Sequence, residues 1–267
     1  MAVPFETLLV ETSQNVCAIT LNRPDSLNSF NDQMTAELAT AIKQVGAAEE
    51  VRAVIITGAG RAFGSGQDLG ELKAKYADPS HVPHLGGDLR RRYNPIVKGL
   101  RDLEKPVIAA VNGVAAGAGL SLALACDLRI ASDKASFIEV FVNVGLVPDS
   151  GNTFFLPRLV GLGKALELCF TGDKVAAADA LALGIVNKVV PAEELMTTTR
   201  ELAEKLARMP TAGIGLTKRL LYRSLNTDLD AQLEAEADAQ EAAALTADHK
   251  EGVRAFFEKR APKFQGK

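Results

Sequence analysis

The chain has 267 residues, 47% of them hydrophobic and 24% charged, enough to bury a full core as one large domain or as a domain with a smaller appendage. A formal net charge of −3 excludes the basic footprint expected of a nucleic-acid binder. The three cysteines, Cys17, Cys126 and Cys169, stand far apart with no CxxC pair, which argues against a disulfide framework or a zinc site and for a reducing compartment.

The opening MAVPFETLLVE has acidic residues and no basic run ahead of an apolar stretch, so it does not read as a signal peptide. Residues 8–12 and 16–22 are β-rich runs split by Ser-Gln-Asn, the pattern of a hairpin. Met34, Leu38, Ile42 and Val45 keep helical spacing over 31–45, with Asn31 or Asp32 placed to cap the start. VRAVIIT (51–57) and KPVIAAV (105–111) read as buried strands, each leading through a glycine turn toward a helix, and that alternation is α/β. Residues 74–88 hold two prolines, two glycines and two of the chain's three histidines without periodicity, which predicts a loop and a candidate lid. The apolar window 113–126 is too short and too Gly/Ala-punctuated to span a bilayer, and a cytoplasmic location is expected. Beyond Pro191 the pattern predicts three helices, over 193–208, 211–224 and 228–247. The expected organisation is a core over 1–190 and a helical region over 191–267, with no internal sequence repeat.

GAGRAFG (58–64) looks like a short-chain dehydrogenase turn, but that reading needs Tyr-x-x-x-Lys, and Tyr76, Tyr93 and Tyr222 are followed four residues on by Ser80, Val97 and Asn226. GAGLSL (117–122) lacks the small last residue of a dinucleotide fingerprint. There is no GxSxG, and His81, His84 and His249 fall in a loop or near a helix end, which argues against a serine hydrolase. FGSGQDL (63–69) and NGVAAGAG (112–119) each leave a predicted strand and feed a predicted helix, so each can present unpaired backbone N–H groups. Two such groups converging on one point make an oxyanion hole, whereas the same turns can be purely structural. Spacing alone leaves both readings open.

The chain resembles the crotonase (enoyl-CoA hydratase/isomerase) superfamily from end to end. The resemblance runs through LNRPDSLNSFND, ITGAGRAFGSGQDL, KPVIAAVNGVAAGAGLSLALACDLRIAS, GLVPDSGNT, ADALALGIVNKVV and EGVRAFFEKRAPKFQGK, in that order. It implies an α/β fold, a crotonase-type spiral of ββα units with a C-terminal helical trimerisation region, assembled as a homotrimer or a dimer of trimers. It also implies an acyl-CoA thioester substrate, no metal, flavin or nicotinamide cofactor, and an oxyanion hole made by the backbone N–H groups of Gln67 and Ala118. Further contacts to substrate or coenzyme A are implied at Asp25, Ser26 and Leu27 in the turn PDSLNS (24–29), at Ser65, Gly66, Asp68 and Leu69, and at Gly117 and Phe141. Lys259 and Lys263, with Arg260, are expected near the phosphates, from the same or a neighbouring subunit.

In the family's hydratases two glutamates hold the attacking water, and the matching positions here are Ser121 and Phe141. Hydration needs a base for the water and a proton for the α-carbon, so a weak hydratase is expected. Glu139 lies two residues from the second position, and on a helix that offset turns its side chain about 200° away. Asp149, in GLVPDSG, occupies the slot that carries the acid in the isomerase branches. The likeness is strongest to the branch of ring 1,2-epoxyphenylacetyl-CoA isomerases, through SFND, GQDL, RYNP and FQGK. The expected role for Asp149 is a single proton-shuttling carboxyl, its pKa raised by Val140, Phe141, Val144 and Phe154; for a ring epoxide the implied product is the oxepin-CoA. Competing roles are a cap for the helix starting near Ser150, a hydratase using Glu139 or Asp149, a displacement of halide weakened by the absence of Trp, and an inactive acyl-CoA-binding subunit.

Overall fold

Gln14 and Asn15 both take positive φ (50° and 62°), the two-residue turn whose twist matches paired strands, and join β1 (Leu8–Ser13) to β2 (Val16–Leu21) as an antiparallel hairpin. The structure is a computed structural model and describes residues 5–68, 70, 73, 76–78, 80 and 82–267. Asn31 caps α1 (Asp32–Ala47), its Oδ1 accepting from the Met34 N–H at 2.8 Å, and the stripe Met34, Leu38, Ile42 and Val45 is buried in the main core.

Three long strands lie parallel at the centre: β3 (Ala53–Gly58), β5 (Val107–Val111) and β7 (Leu128–Ser132). Each is followed within a few residues by a three-residue strand, β4 (Ala62–Gly64), β6 (Val114–Ala116) and β8 (Ser136–Ile138), and these pair with one another in a second sheet. With β9 (Lys174–Ala176) and β10 (Lys188–Val190) the two sheets run β1-β2-β3-β5-β7-β10 and β4-β6-β8-β9. The chain thus winds as a spiral of long strand, short strand and helix. The repeat lies in the backbone path and leaves no periodicity in the residues.

Every residue of β3 and β5 is buried, as central parallel strands covered on both faces require. Helix α1 and the wholly buried α4 (Ala118–Ala125) belong to the main core on one face. The other face is sealed by α8 (Leu195–Ala207), whose Leu195, Ala203 and Ala207 pack on Val16, Ile55, Ile108 and Ile130. The first helix of the 191–267 region is therefore part of the core.

Two predicted elements differ from the structure. Within the predicted loop 74–88, Leu85–Asp88 form a helical turn, α2, that runs through Leu89–Tyr93 into α3 (Asn94–Asp102); the loop's residues 74, 75, 79 and 81 lie outside the described residues. The predicted helix 228–247 forms as α10 (Leu229–Ala244), following α9 (Thr211–Ser224) and ending three residues early, and a further helix that was not predicted, α11 (Ala247–Phe257), comes after it. Thr246 breaks the run because its Oγ1 caps the next helix, accepting from His249 N at 3.0 Å. Between β8 and α9 lie a 3-10 turn Val140–Val144, α5 (Asn152–Val160), α6 (Leu162–Thr171) and α7 (Ala177–Ala182). Asp127 docks α9 on the sheet, accepting from Val107 N (2.7 Å), Lys218 Nζ (2.9 Å) and the Tyr222 hydroxyl.

Candidate active site

The two glycine turns touch backbone to backbone. A Cβ on Gly119 would lie 2.0 Å from Gly64 O, so no side chain fits between them. Gly66, at φ +93°, brings its own turn so close that a Cβ there would sit 3.2 Å from Ala116 O and 3.6 Å from Ala118 N. At this junction two N–H groups are unspent. The bridge between Phe30 and Gln67 uses Phe30 N to Gly66 O (2.8 Å) and Asp68 N to Phe30 O (3.1 Å), and among the described residues the Gln67 N–H has no acceptor. Ala118 is the first residue of α4, where an amide has no partner within its helix, and the preceding Gly117 has no side chain to offer.

The 24–29 turn braces this junction. Pro24–Ser26 form a 3-10 turn, Leu27 and Asn28 are left-handed (φ 55° each), and Ser65 N donates to Leu27 O at 3.1 Å while Ser65 Oγ donates to Ser26 O at 3.3 Å. Asp25 is exposed, and Ser26 and Leu27 are half-buried above Ser65. Asp68 does structural work: its carboxylate pairs with Arg23 at 2.8 Å and accepts from Ser29 Oγ at 3.3 Å and Gly70 N at 2.8 Å. Sequence reasoning missed two residues here. Buried Asn28 donates to Ala59 O (2.9 Å) and Ala62 O (2.7 Å) and accepts from Arg23 N (2.9 Å), and the Tyr93 hydroxyl donates to the Gln67 side-chain carbonyl. The RYNP motif carried a signal for Tyr93, and the turn PDSLNS (24–29) contains Asn28 without singling it out from its neighbours.

Asp149 follows the 3-10 turn and is half-buried. Gly151 occupies the cap position of α5 and no side chain bonds there, so the Asp149 carboxylate does not cap that helix. Its Oδ1 accepts from Ser150 Oγ at 2.8 Å, and among the described residues nothing engages Oδ2. Burial pushes the carboxyl's pKa up, opposed by the Ser150 hydrogen bond. Ser121, fully buried, ties Asp149 to the second glycine turn: its Oγ is 3.1 Å from Asp149 O and 3.2 Å from Gly117 O. A Cβ on Gly117 would come within 3.9 Å of the Phe141 ring and 3.1 Å of Val140 Cγ2, so these residues stand against the turn that carries the Ala118 amide. Of the apolar neighbours expected around Asp149, Phe141 is buried, Val140 and Phe154 are half-buried, and Val144 is 63% exposed.

Glu139 departs from its expected placement. It sits between β8 and the 3-10 turn with φ −85° and ψ 68°, so the helical rotation that would turn it away does not apply. Its side chain is 2% exposed, with Oε1 accepting from Asn152 Nδ2 at 2.8 Å. Burial and, after it, the neighbouring Asp149 charge push its pKa up to about 7, against the lowering effect of Asn152.

A model of the family described as enoyl-CoA hydratase/isomerase matches residues 11–267. The chain belongs to that family. It is 45% identical to the 1,2-epoxyphenylacetyl-CoA isomerase of Escherichia coli strain K12 over 98% of this chain and 100% of that protein. It is 40% identical to a probable enoyl-CoA hydratase of Rhodobacter capsulatus over 98% and 99%. A crystal structure of a putative enoyl-CoA hydratase from Streptomyces coelicolor A3(2) superposes with a TM-score of 0.92 at 37% identity, covering 100% of this chain and 98% of that one. The protein is thus an enzyme of the enoyl-CoA hydratase/isomerase family with the crotonase spiral, and an acyl-CoA thioester fits as its substrate class. No described helix is long and apolar enough to cross a membrane.

Among the described contacts neither Lys259 nor Lys263 touches the glycine turns. The tail after Lys263 is held at the start of β3, where Arg52 Nη1 donates to Phe264 O (2.9 Å) and Asp248 accepts from Gln265 N (2.6 Å) and Gly266 N (2.7 Å). The first glycine turn follows the other end of β3, about 20 Å away for a six-residue strand. Lys259 lies exposed just beyond α11. Leu69 lies outside the described residues.

Proposed function

We propose that this enzyme is an acyl-CoA isomerase in which Asp149 is the single acid/base. The observation that carries the reading is a half-buried carboxyl with one unengaged oxygen, tied through Ser121 to the turn that bears the Ala118 amide, while Ser121 and Phe141 hold the positions implied for hydratase glutamates. The thioester oxygen would lie between the N–H groups of Gln67 and Ala118, donors already oriented before charge develops on it. Asp149 Oδ2 would take the α-proton of a 3-enoyl thioester, the electron pair moving into the dienolate, and return the same proton at the γ-carbon. The double bond moves and nothing is added. A pKa raised by burial suits a carboxyl that must both accept and release a proton.

The name of the relative at 45% identity adds a ring epoxide as a candidate substrate, and the name of the relative at 40% keeps hydration as a second reading, with Glu139 as the further carboxyl. Burial weighs against the latter, because Glu139 Oε2 is shut off from solvent and so from a substrate water. Asp149→Asn is expected to abolish isomerisation while acyl-CoA affinity stays within about threefold. Wild-type conversion of 3-enoyl-CoA with negligible hydration of 2-enoyl-CoA supports the isomerase; turnover retained in Asp149→Asn, or efficient hydration, overturns it. We further propose self-association as a trimer or a dimer of trimers, supported by exposed apolar residues on the C-terminal helices, among them Leu221, Leu229, Leu245, Phe256 and Phe257. A mass in solution of about three or six chains checks this by light scattering, and a monomer refutes it.

A further inference from the structure

The mechanism leaves a second buried carboxyl unused. We propose that Glu139, as a neutral carboxylic acid, is a positioning residue for Asp149, acting through Asn152 and Ser121. The proposal rests on Asp149 being the acid/base. Asn152 is fully buried at the start of α5; its Nδ2 donates to Glu139 Oε1 at 2.8 Å and lies 3.4 Å from Ser121 Oγ, while its N–H donates to Asp149 O at 2.9 Å. Ser121 Oγ reaches the same Asp149 carbonyl at 3.1 Å. The Asp149 carbonyl is thus clamped from two directions, by Asn152, which Glu139 engages directly, and by Ser121, which Asn152 Nδ2 reaches in turn, just before Ser150 at a strained φ of +53°.

The protonation state follows from what is unpaired. Glu139 Oε2 and Asn152 Oδ1 are both buried with no hydrogen-bond partner, and they belong to two side chains already joined by one bond. Two acceptors cannot satisfy each other, but one proton on Oε2 lets the acid donate to Oδ1 and close a two-bond acid–amide ring. The cavity beside Glu139, lined by Leu120, Phe137, Leu156, Leu168 and Asp173, measures about 10 Å³, room for no more than one water. Among the described residues the titratable groups placed against Glu139 are Asp149, Cys169 and Asp173, none of them a cation; Lys174, paired with Ile138 across β8 and β9, is exposed, and no described cation pairs with Glu139. Ionisation would therefore put an unpaired charge beside Asp149 and open the ring. The pKa of about 7 is in keeping with a group that is neutral below that pH and loses its proton above it.

The test is the pH dependence of kcat on a 3-enoyl-CoA for wild type, Glu139→Gln, Glu139→Leu and Asp149→Asn, with KM measured alongside. The wild-type kcat is expected to fall above about pH 7, where Glu139 ionises. In Glu139→Gln, whose amide offers one donor and one acceptor to Asn152 at every pH, kcat at about pH 6 should stay within about threefold of wild type and the alkaline fall should vanish. Glu139→Leu, which frees Asn152, should lose about tenfold or more in kcat with KM within about threefold. An unchanged alkaline fall in Glu139→Gln, or wild-type kcat in Glu139→Leu, overturns the positioning role; if Glu139→Leu does not fold, Glu139→Gln decides alone. Activity in Asp149→Asn overturns the acid/base assignment instead, so the two failures are told apart.

Discussion

A single methyl at Gly66 tests the proposed oxyanion hole without touching a charged group. Gly66→Ala places an L residue at φ +93°, which costs about 1–3 kcal/mol of backbone strain. The new Cβ would sit 3.2 Å from Ala116 O, beside Ala118 N at 3.6 Å, so the two turns must part by a few tenths of an ångström next to the proposed donors. An oxyanion donor moved off its acceptor forfeits about 3–4 kcal/mol, a loss of about 10²–10³ in kcat. Strain of about 2 kcal/mol should lower Tm by about 4–8 °C for a chain of this size. The control is Gly163→Ala in α6, where an added Cβ meets nothing within 4 Å and no loss is expected in either measurement. Steady-state kinetics on 3-enoyl-CoA together with melting curves separate strain from chemistry. If Gly66→Ala melts early but keeps kcat within about threefold of wild type, the donors at this junction do not stabilise the enolate.

Two further outcomes concern stability. Glu139 is ionised in the unfolded chain above pH 4.5 but stays neutral in the folded protein until about 7, so the unfolded state sheds the proton first and stability falls as pH rises across that window. At about 1.4 kcal/mol per pH unit the loss is about 3 kcal/mol, and Glu139→Gln should abolish it; equal denaturant stabilities of wild type at about pH 5 and pH 8 would contradict this. Lys218→Met leaves Asp127 with Val107 N and the Tyr222 hydroxyl but without its buried cation, and should cost about 3–5 kcal/mol by denaturant unfolding. A loss below about 1 kcal/mol would show that the Asp127 network does not anchor α9.

The residues by themselves determined the hairpin, α1 with its Asn31 cap, the buried strands and the two glycine turns, because each rests on local rules: turn chemistry, helical spacing, capping and strand burial. The ordered family blocks marked Gln67, Ala118 and Asp149 for the same reason, since each motif is contiguous in the chain. What spacing could not supply is whatever depends on groups distant in sequence meeting in space. Thr246 is a local exception, a cap within reach of the sequence rules: its hydroxyl donates back to Ala243 O and accepts from His249 N, each three residues away. Asn28 matters through carbonyls 31 and 34 residues away, and Glu139 through an amide 13 residues on. A helical reading of the stretch around Glu139 turned its carboxyl away, whereas the strand end actually formed there buries it in the core beside Asp149. Burial without a counter-charge then decides its protonation, and that is a property of the tertiary surroundings alone.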